Sequence, residues 1–467
     1  FFFSERCGFD VPGIHTECHM DVMSVHPDGR RLPVCGGWHD AGDLTQAAIN
    51  TAESVFAMLE LAIAEREAQP ELSQRAKEEA RWGLNWLMRT RWGDGYRHNG
   101  TVIGFWSDNI QGTLDDINAD SGNRPFDNFM IAGVCAKAIA LFRDEDPRFA
   151  DWCRCAKEDF SFALAAMHQS QDNESAGARY TQLQMNAQAA ISAMELYEAF
   201  GETEYLSRGV SFARILMACQ ASAVDPSFSI PLRGYFYENE THERIQTYYH
   251  RSYEHAPIKA FAMLYRLAPE HEDAARWKNS LELYREYVAL TSRMVPYGLL
   301  PNGIYELDNT DFSTITHEGA RAAGAPSLEE YNAQVRNGIR LNDRFYLRVF
   351  PVAYQFRGFH ATLMGRALAA MELARALNDR EIKQVAVRQM EWILGCNPFA
   401  VSSMYGEGHD YHPLYAPMSP QLVGAVPVGF ETFENEDQPF YPMQNNATYK
   451  EVWVHTTCRM MWLIAML

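Results

Sequence analysis

Residues 44–67 read LTQAAINTAESVFAMLELAIAERE, with Ala48, Ala52, Val55, Phe56, Leu59, Ala62 and Ile63 recurring at three- and four-residue intervals. That spacing gathers them near one face of an amphipathic helix. Working outward, similar patterns lie near 73–91, 127–142, 147–169, 178–200, 203–220, 255–267, 270–294, 359–376, 379–394 and 446–466. Most of these stretches are neighbours joined by short connections, which predicts hairpins of antiparallel helices. Only 229–237 and 296–306 read as short extended pieces. Long non-helical stretches cover 1–43, 92–126, 221–249, 297–358 and 395–445, and loops that long are uncommon unless they carry function. No low-complexity linker divides the chain, so residues 1–467 read as one helical domain whose long loops gather at one end.

Composition narrows the partners. The 467 residues are 47% hydrophobic, enough for a large core. Formal charge is −19, from 41 basic and 60 acidic side chains, and a phosphate backbone would be repelled by that field. Nucleic acid is therefore excluded as an expected partner. No apolar stretch reaches the roughly 18 uncharged residues of a membrane span. The chain opens Phe1-Phe2-Phe3-Ser4 rather than with Met, as a trimmed chain does. Nine cysteines at irregular spacing do not make a disulfide framework. Cys135, Cys153, Cys219 and Cys458 sit in helical apolar stretches and read as small hydrophobes.

Two acidic constellations stand before helices. Gly36-Gly37-Trp38-His39-Asp40-Ala41-Gly42-Asp43 precedes the first long helix. Its glycines permit a tight turn, and two aspartates three positions apart can then point to one place. The plainer reading makes Asp43 a helix cap and Asp40 a turn residue. A carboxylate at a helix N-terminus also stays ionised, as a general base must. Glu451 falls in the first turn of the last helical stretch, in Lys450-Glu451-Val452-Trp453. The plainer reading there is a glutamate stabilised by the helix dipole. An acid role needs a raised pKa, to which Val452 and Trp453 would contribute by desolvation.

Together these segments resemble glycoside hydrolase family 9. The family's DAGD signature stands verbatim as Asp40-Ala41-Gly42-Asp43, its acid glutamate matches Glu451, and Leu394-Gly395-Cys396-Asn397-Pro398 is similar to its LGxNP segment. The resemblance runs from Arg6-Cys7-Gly8 to the last helix. It implies an all-α (α/α)6 barrel with a cleft across one end, and inverting, endo-acting hydrolysis of β-1,4-glucans such as cellulose. Glu451 would protonate the leaving oxygen. Asp43 would deprotonate the attacking water, which Asp40 helps to hold. One departure bears on substrate. Many cellulases of the family carry a His-His-Arg run before the acid; here the loop reads Tyr405-Gly406-Glu407-Gly408-His409-Asp410-Tyr411-His412-Pro413-Leu414-Tyr415. An exo-acting relative that trims short gluco- or glucosamine oligosaccharides is the first alternative. A non-catalytic carbohydrate-binding protein is the second, and the intact acidic residues argue against it. A polymeric substrate would favour a secreted or periplasmic protein.

Cys7, Cys18, His19 and His39 form a third constellation, whose donors suit tetrahedral zinc. Their spacing is no zinc-finger pattern, and free thiols beside surface histidines are the plainer reading. A subset of family 9 holds a structural zinc in a similar segment, with the histidine just before DAGD as a ligand, and such members often carry an upstream immunoglobulin-like domain. The resemblance thus implies zinc clamping residues 1–43 and leaves room for a removed domain. Calcium also occurs in the family, but no acidic cluster here is distinct enough to assign it. Trp38, Trp106, Tyr405, His409, Tyr411 and Trp453 are the candidate sugar contacts, by loop position and ring type. Asp127 reads as a cap and His360 as a structural histidine.

Overall fold

The computed structural model describes every residue except 9, 102–109, 111–118, 144–145, 171–179, 310–326, 353–357, 416–420 and 434–435. Among the described residues the helices are α1 (Ala48–Ala64), α2 (Pro70–Arg89), α3 (Pro125–Phe142), α4 (Phe149–Ser170), α5 (Gln182–Phe200), α6 (Thr203–Ala218), α7 (His255–Leu267), α8 (Ala274–Thr291), α9 (Leu328–Arg336), α10 (His360–Leu377), α11 (Arg380–Ile393), α12 (Ala447–Lys450) and α13 (Val454–Ala465). Local sequence sets several ends. Pro70 opens α2, where a missing N–H costs nothing. Thr181 and Gln184 form a capping box on α5, which stops at the left-handed Gly201.

The helices form an (α/α)6 barrel. α1 packs on α3, α3 on α5, α5 on α7, α7 on α10 and α10 on α13, and α13 closes the inner ring on α1. α2, α4, α6, α8 and α11 each return along the inner helix before them and make the outer layer. Inner helices are covered over most of their length. In α3, Phe126, Phe129, Met130, Ile131, Val134 and Phe142 are all buried. α3 is also the one described helix long and apolar enough to cross a membrane, and 83% of it is buried inside the barrel. An inner-ring position accounts for its hydrophobicity.

Loop lengths place the site. Inner-to-outer connections are short, as at 65–69, 201–202 and 378–379, whereas 90–124, 219–254, 292–359 and 394–453 all lead into inner helices. The long segments therefore gather at the N-terminal end of the inner ring. Small sheets brace them: β1 (Met23–Val25) with β2 (Arg31–Pro33), β3 (Gln46–Ala47) with β4 (Arg97–Thr101) and β5 (Ala119–Gly122), β6 (Gly303–Glu306) and β7 (Ile339–Arg340) either side of β8 (Phe345–Arg348), and β9 (Glu431–Thr432) with β10 (Pro439–Phe440).

Three readings need correction. The helix expected from residue 44 begins at Ala48, because Leu44 is left-handed (φ 63°) and Gln46–Ala47 pair with β4. The single helix expected over 446–466 is two, with Glu451, Val452 and Trp453 extended between them. α9 and most strands were not legible, being short pieces inside long loops. Of the two extended stretches read from sequence, 296–306 holds β6, while 229–237 makes only isolated bridges.

Candidate active site

The aspartate loop is shaped by its own side chains. α1 is capped by Ala47 with no side-chain bond, so Asp43 is not its cap and lies too far upstream for the helix end to hold its charge. Asp43 instead turns the chain, its Oδ1 accepting from Thr45 N (3.3 Å) and Thr45 Oγ1 (2.9 Å). The Thr45 hydroxyl also faces Asp40 Oδ1, and Asn50 Nδ2 donates to Asp40 Oδ2 at 2.6 Å. Asp40 is buried and Asp43 half-buried. Burial first, and the Asp43 carboxylate second, push the Asp40 carboxyl up, while Arg251, 4.0 Å away, pulls it down.

Glu451 comes from the far end of the chain and meets this loop through backbone pairing. Val454 N donates to Asp40 O (2.8 Å) and Gly42 N to Val452 O (3.1 Å), with Ala41 bridged to Trp453. Along the same edge Val452 N donates to Tyr415 O (3.2 Å), and on the opposite edge Val428 N donates to Glu451 O (3.0 Å). Glu451 is buried, follows the end of α12 and precedes α13, so it stands in no first turn. The one sign of this extended stretch in the sequence is the β-branched and aromatic run Val452-Trp453-Val454, a composition that favours strands.

Beside Asp40, the ligand atoms of Cys7, Cys18, His19 and His39 all lie within 4.8 Å of one another, and all four residues are buried. Cys7 Sγ is 3.0 Å from His19 Nδ1, and Cys18 Sγ is 3.2 Å from His39 Nε2. His39 Nδ1 faces Glu5 Oε2 at 3.6 Å. The segment is laid beside the aspartate loop by Cys7 N to Gly37 O and His39 N to Glu5 O, both 2.9 Å. All nine cysteines are free thiols.

The sequence profile of Glycosyl hydrolase family 9 matches residues 1–415. The chain belongs to that family. This family 9 chain is a glycoside hydrolase, and its match stops short of Glu451, which the pairing just described brings to the aspartates. Among curated proteins none matches. Similar solved structures include a metagenome-derived glycoside hydrolase family 9 endoglucanase (17% identity, TM-score 0.65, covering 99% of this chain and 78% of that one). The cellulase Cel9M of C. cellulolyticum is similar at 13% identity and TM-score 0.63, over 100% of this chain and 95% of its own. A Zn-binding triple mutant of family 9 endoglucanase J30 is similar at 18% and 0.60, over 99% and 82%.

The family 9 cleft sorts the sugar-contact candidates. Trp38 is 1% exposed, donates to Glu79 Oε1 at 2.9 Å and packs against Gly83 of α2; it is a core residue with no face for a pyranose. Trp453 is 3% exposed and stacked on His250 (centroids 4.7 Å apart), so it too lacks an open face. Trp106 lies outside the described residues. His409 is exposed, and Tyr411, 40% exposed, stands edge-on to Tyr405 at 5.1 Å. Sequence reasoning missed Tyr415, 40% exposed and bridged to Glu451. Bridged residues share a face, so its ring lies on the Glu451 side. It also missed Thr45, Asn50 and Arg251, which hold the aspartates; no spacing flags them. His360 is a buried structural residue, its Nδ1 3.0 Å from Pro427 O. Asp127 is no cap: it lies inside α3 and accepts from Asn99.

Proposed function

We propose that this enzyme hydrolyses β-1,4-glucosidic bonds in β-glucans such as cellulose, within the chain and with inversion. Asp43 acts as base, Asp40 holds the water with it, and Glu451 is the acid. The observation that supports this is the backbone pairing of Asp40-Ala41-Gly42 with Val452-Trp453-Val454, which brings the aspartate loop and the Glu451 segment side by side. Inversion needs carboxyls roughly 6.5–9.5 Å apart with water between them. Endoglucanases and a cellulase among the similar folds favour a β-glucan. Tyr405, Tyr411 and Tyr415 would stack on sugar rings, and His409 would hydrogen-bond at the rim.

Cys7, Cys18, His19 and His39 would hold zinc. The donor set of two thiols and two imidazoles, closed and buried, fits a four-coordinate structural ion. Bound there, zinc supplies a cross-link and no reactive position. These residues fix the N-terminal segment beside Asp40.

The test is a soluble β-1,4-glucan followed by proton NMR and viscometry. The α-anomer should appear before mutarotation, and viscosity should fall ahead of the rise in reducing ends. Release of the β-anomer first would mean a covalent route and overturn the base role of Asp43. Trimming of short oligosaccharides at constant viscosity would point to the exo-acting alternative.

A further inference from the structure

Arg251, late in the long segment that leads into α7, reaches the seam where the two acidic segments meet. Its guanidinium carbon lies 5.8 Å from the centre of the Trp453 ring, and its Nη2 is 4.0 Å from Asp40 Oδ2. That gap is too long for a hydrogen bond. Asn50 bridges the two, accepting from Arg251 Nε at 3.1 Å and donating to Asp40 Oδ2 at 2.6 Å. Other arginines of this protein close on their carboxylates at two points: Arg6 on Glu79 (3.0 and 2.7 Å), Arg233 on Glu286 (2.6 and 2.8 Å) and Arg266 on Glu198 (2.7 and 2.9 Å). A fork that only neutralised Asp40 would do the same. Arg251 is instead held off, and no described residue accepts a hydrogen bond from its Nη1 or Nη2.

The side chain is also open where its neighbours are shut. It is 19% exposed, against 6% for the Asp40 side chain, and Asn50 is fully buried. Thr45 and Asn50 already donate to the aspartates, and ionised carboxylates only accept. A sugar ring laid over this loop meets acceptors on Asp40 and Asp43, and Arg251 supplies N–H donors for the ring's hydroxyl oxygens. The backbone presets that fork. His250 (φ 46°) and Ser252 (φ 44°), on either side of Arg251, are left-handed although neither is glycine. Strain of this kind collects at ligand clamps and active sites, and persists only where surroundings enforce it. Here Arg251 O accepts from His455 Nε2 at 2.8 Å, and the His250 ring stacks on Trp453.

We propose that Arg251 is a substrate-binding residue: its Nη donors hydrogen-bond the hydroxyls of the glucose unit seated over Asp40 and Asp43, and hold that ring at the point of cleavage. This rests on the hydrolytic reading of Asp40 and Asp43. A planar, preset fork loses little freedom on gripping neighbouring hydroxyls. The ring is gripped before cleavage as well as during it, so the loss of Arg251 shows in binding and not in turnover alone.

The test is calorimetric titration of a β-1,4-linked glucose tetrasaccharide into Glu451→Gln protein, with and without a change at Arg251, and with thermal unfolding alongside. Arg251→Ala should raise Kd by about ten- to a hundredfold, the scale of a charged hydrogen bond lost from a ligand. Arg251→Gln, which stays polar beside Asn50, serves if Arg251→Ala does not fold, and should raise Kd in the same direction. If Glu451→Gln still cleaves, the acid assignment falls and the KM of the Arg251 variants carries the comparison. A parent that binds the tetrasaccharide without cleaving it fails the hydrolytic reading, and the Kd comparison then runs on the parent itself. A parent that binds no β-1,4-linked glucose oligosaccharide overturns both. A folded Arg251 variant that binds as tightly as its background overturns the proposal even where kcat falls, since that result confines Arg251 to Asp40.

Discussion

At the scale of single residues, chemistry and stability separate cleanly. Glu451 and Asp43 are tied to the site by backbone pairing and a local turn, so isosteric amides remove the proton-transferring group and leave the scaffold. Glu451→Gln and Asp43→Asn should each lower kcat by about 10²–10⁴-fold or more with an unchanged unfolding curve, measured on an unactivated glycoside. Near-normal turnover in Glu451→Gln would remove it as the acid. Glu254, just before α7, shows a residue acting on stability instead. Burial pushes its carboxyl up to about 7 from 4.5, against the pull of Arg366 and the Tyr284 hydroxyl. A carboxyl raised in the fold keeps a proton that the unfolded chain has lost. Its contribution to stability is therefore fully retained below about 4.5 and falls as pH rises towards about 7. Glu254→Gln should flatten that window in urea unfolding; a parent whose stability does not fall more steeply than the variant across it would contradict the assignment.

At the scale of elements, the N-terminal segment shows how an irregular stretch is held. Arg6 makes two bonds to Glu79 of α2 (3.0 and 2.7 Å), and Trp38 shares that carboxylate. Gly83 lies under the Trp38 ring, where a Cβ would clash, which explains a glycine inside a helix despite its cost of about 1 kcal/mol. The four-donor cluster is the third fastening. Protein purified without chelator should hold about one zinc per chain by elemental analysis, as a closed structural site does. Cys18→Ser or His19→Ala should lower the melting temperature more than kcat at saturating substrate. Metal-free protein with normal melting would dismiss the clamp.

At the scale of the whole molecule, ring closure joins the two ends of the chain. α13 docks on α1 through Arg459 and Glu53, residues 406 apart in sequence and both buried. Removing one partner leaves an uncompensated buried charge, so Arg459→Met should destabilise by about 3–5 kcal/mol. Because the same closure carries Glu451 to the aspartates, activity should disappear at the urea concentration where helix is lost. Activity outlasting helical signal would show that the site does not depend on closure.

How much of this was legible is plain from particular stretches. The eleven helical patterns were readable because three- and four-residue spacing is written locally; only their ends and the break at 451–453 were not. The DAGD loop, Glu451 and the Cys7, Cys18, His19, His39 donors were found as residue types in a recognisable order. The cap reading of Asp43, the first-turn reading of Glu451 and the stacking roles of Trp38 and Trp453 went astray, since burial and pairing with distant strands are not local properties. A tryptophan beside a catalytic motif looks alike in sequence whether its face meets a sugar or Glu79. By itself the sequence determined the helical segments, because periodicity belongs to the residues themselves, and side-chain chemistry let it put forward Asp40, Asp43, Glu451 and the four sulfur and nitrogen donors as candidates. Only the tertiary structure decided that Val452-Trp453 is strand rather than helix, and that Tyr415 and Arg251 join the site. Each of those depends on a partner far along the chain, which ring closure alone brings within hydrogen-bonding reach.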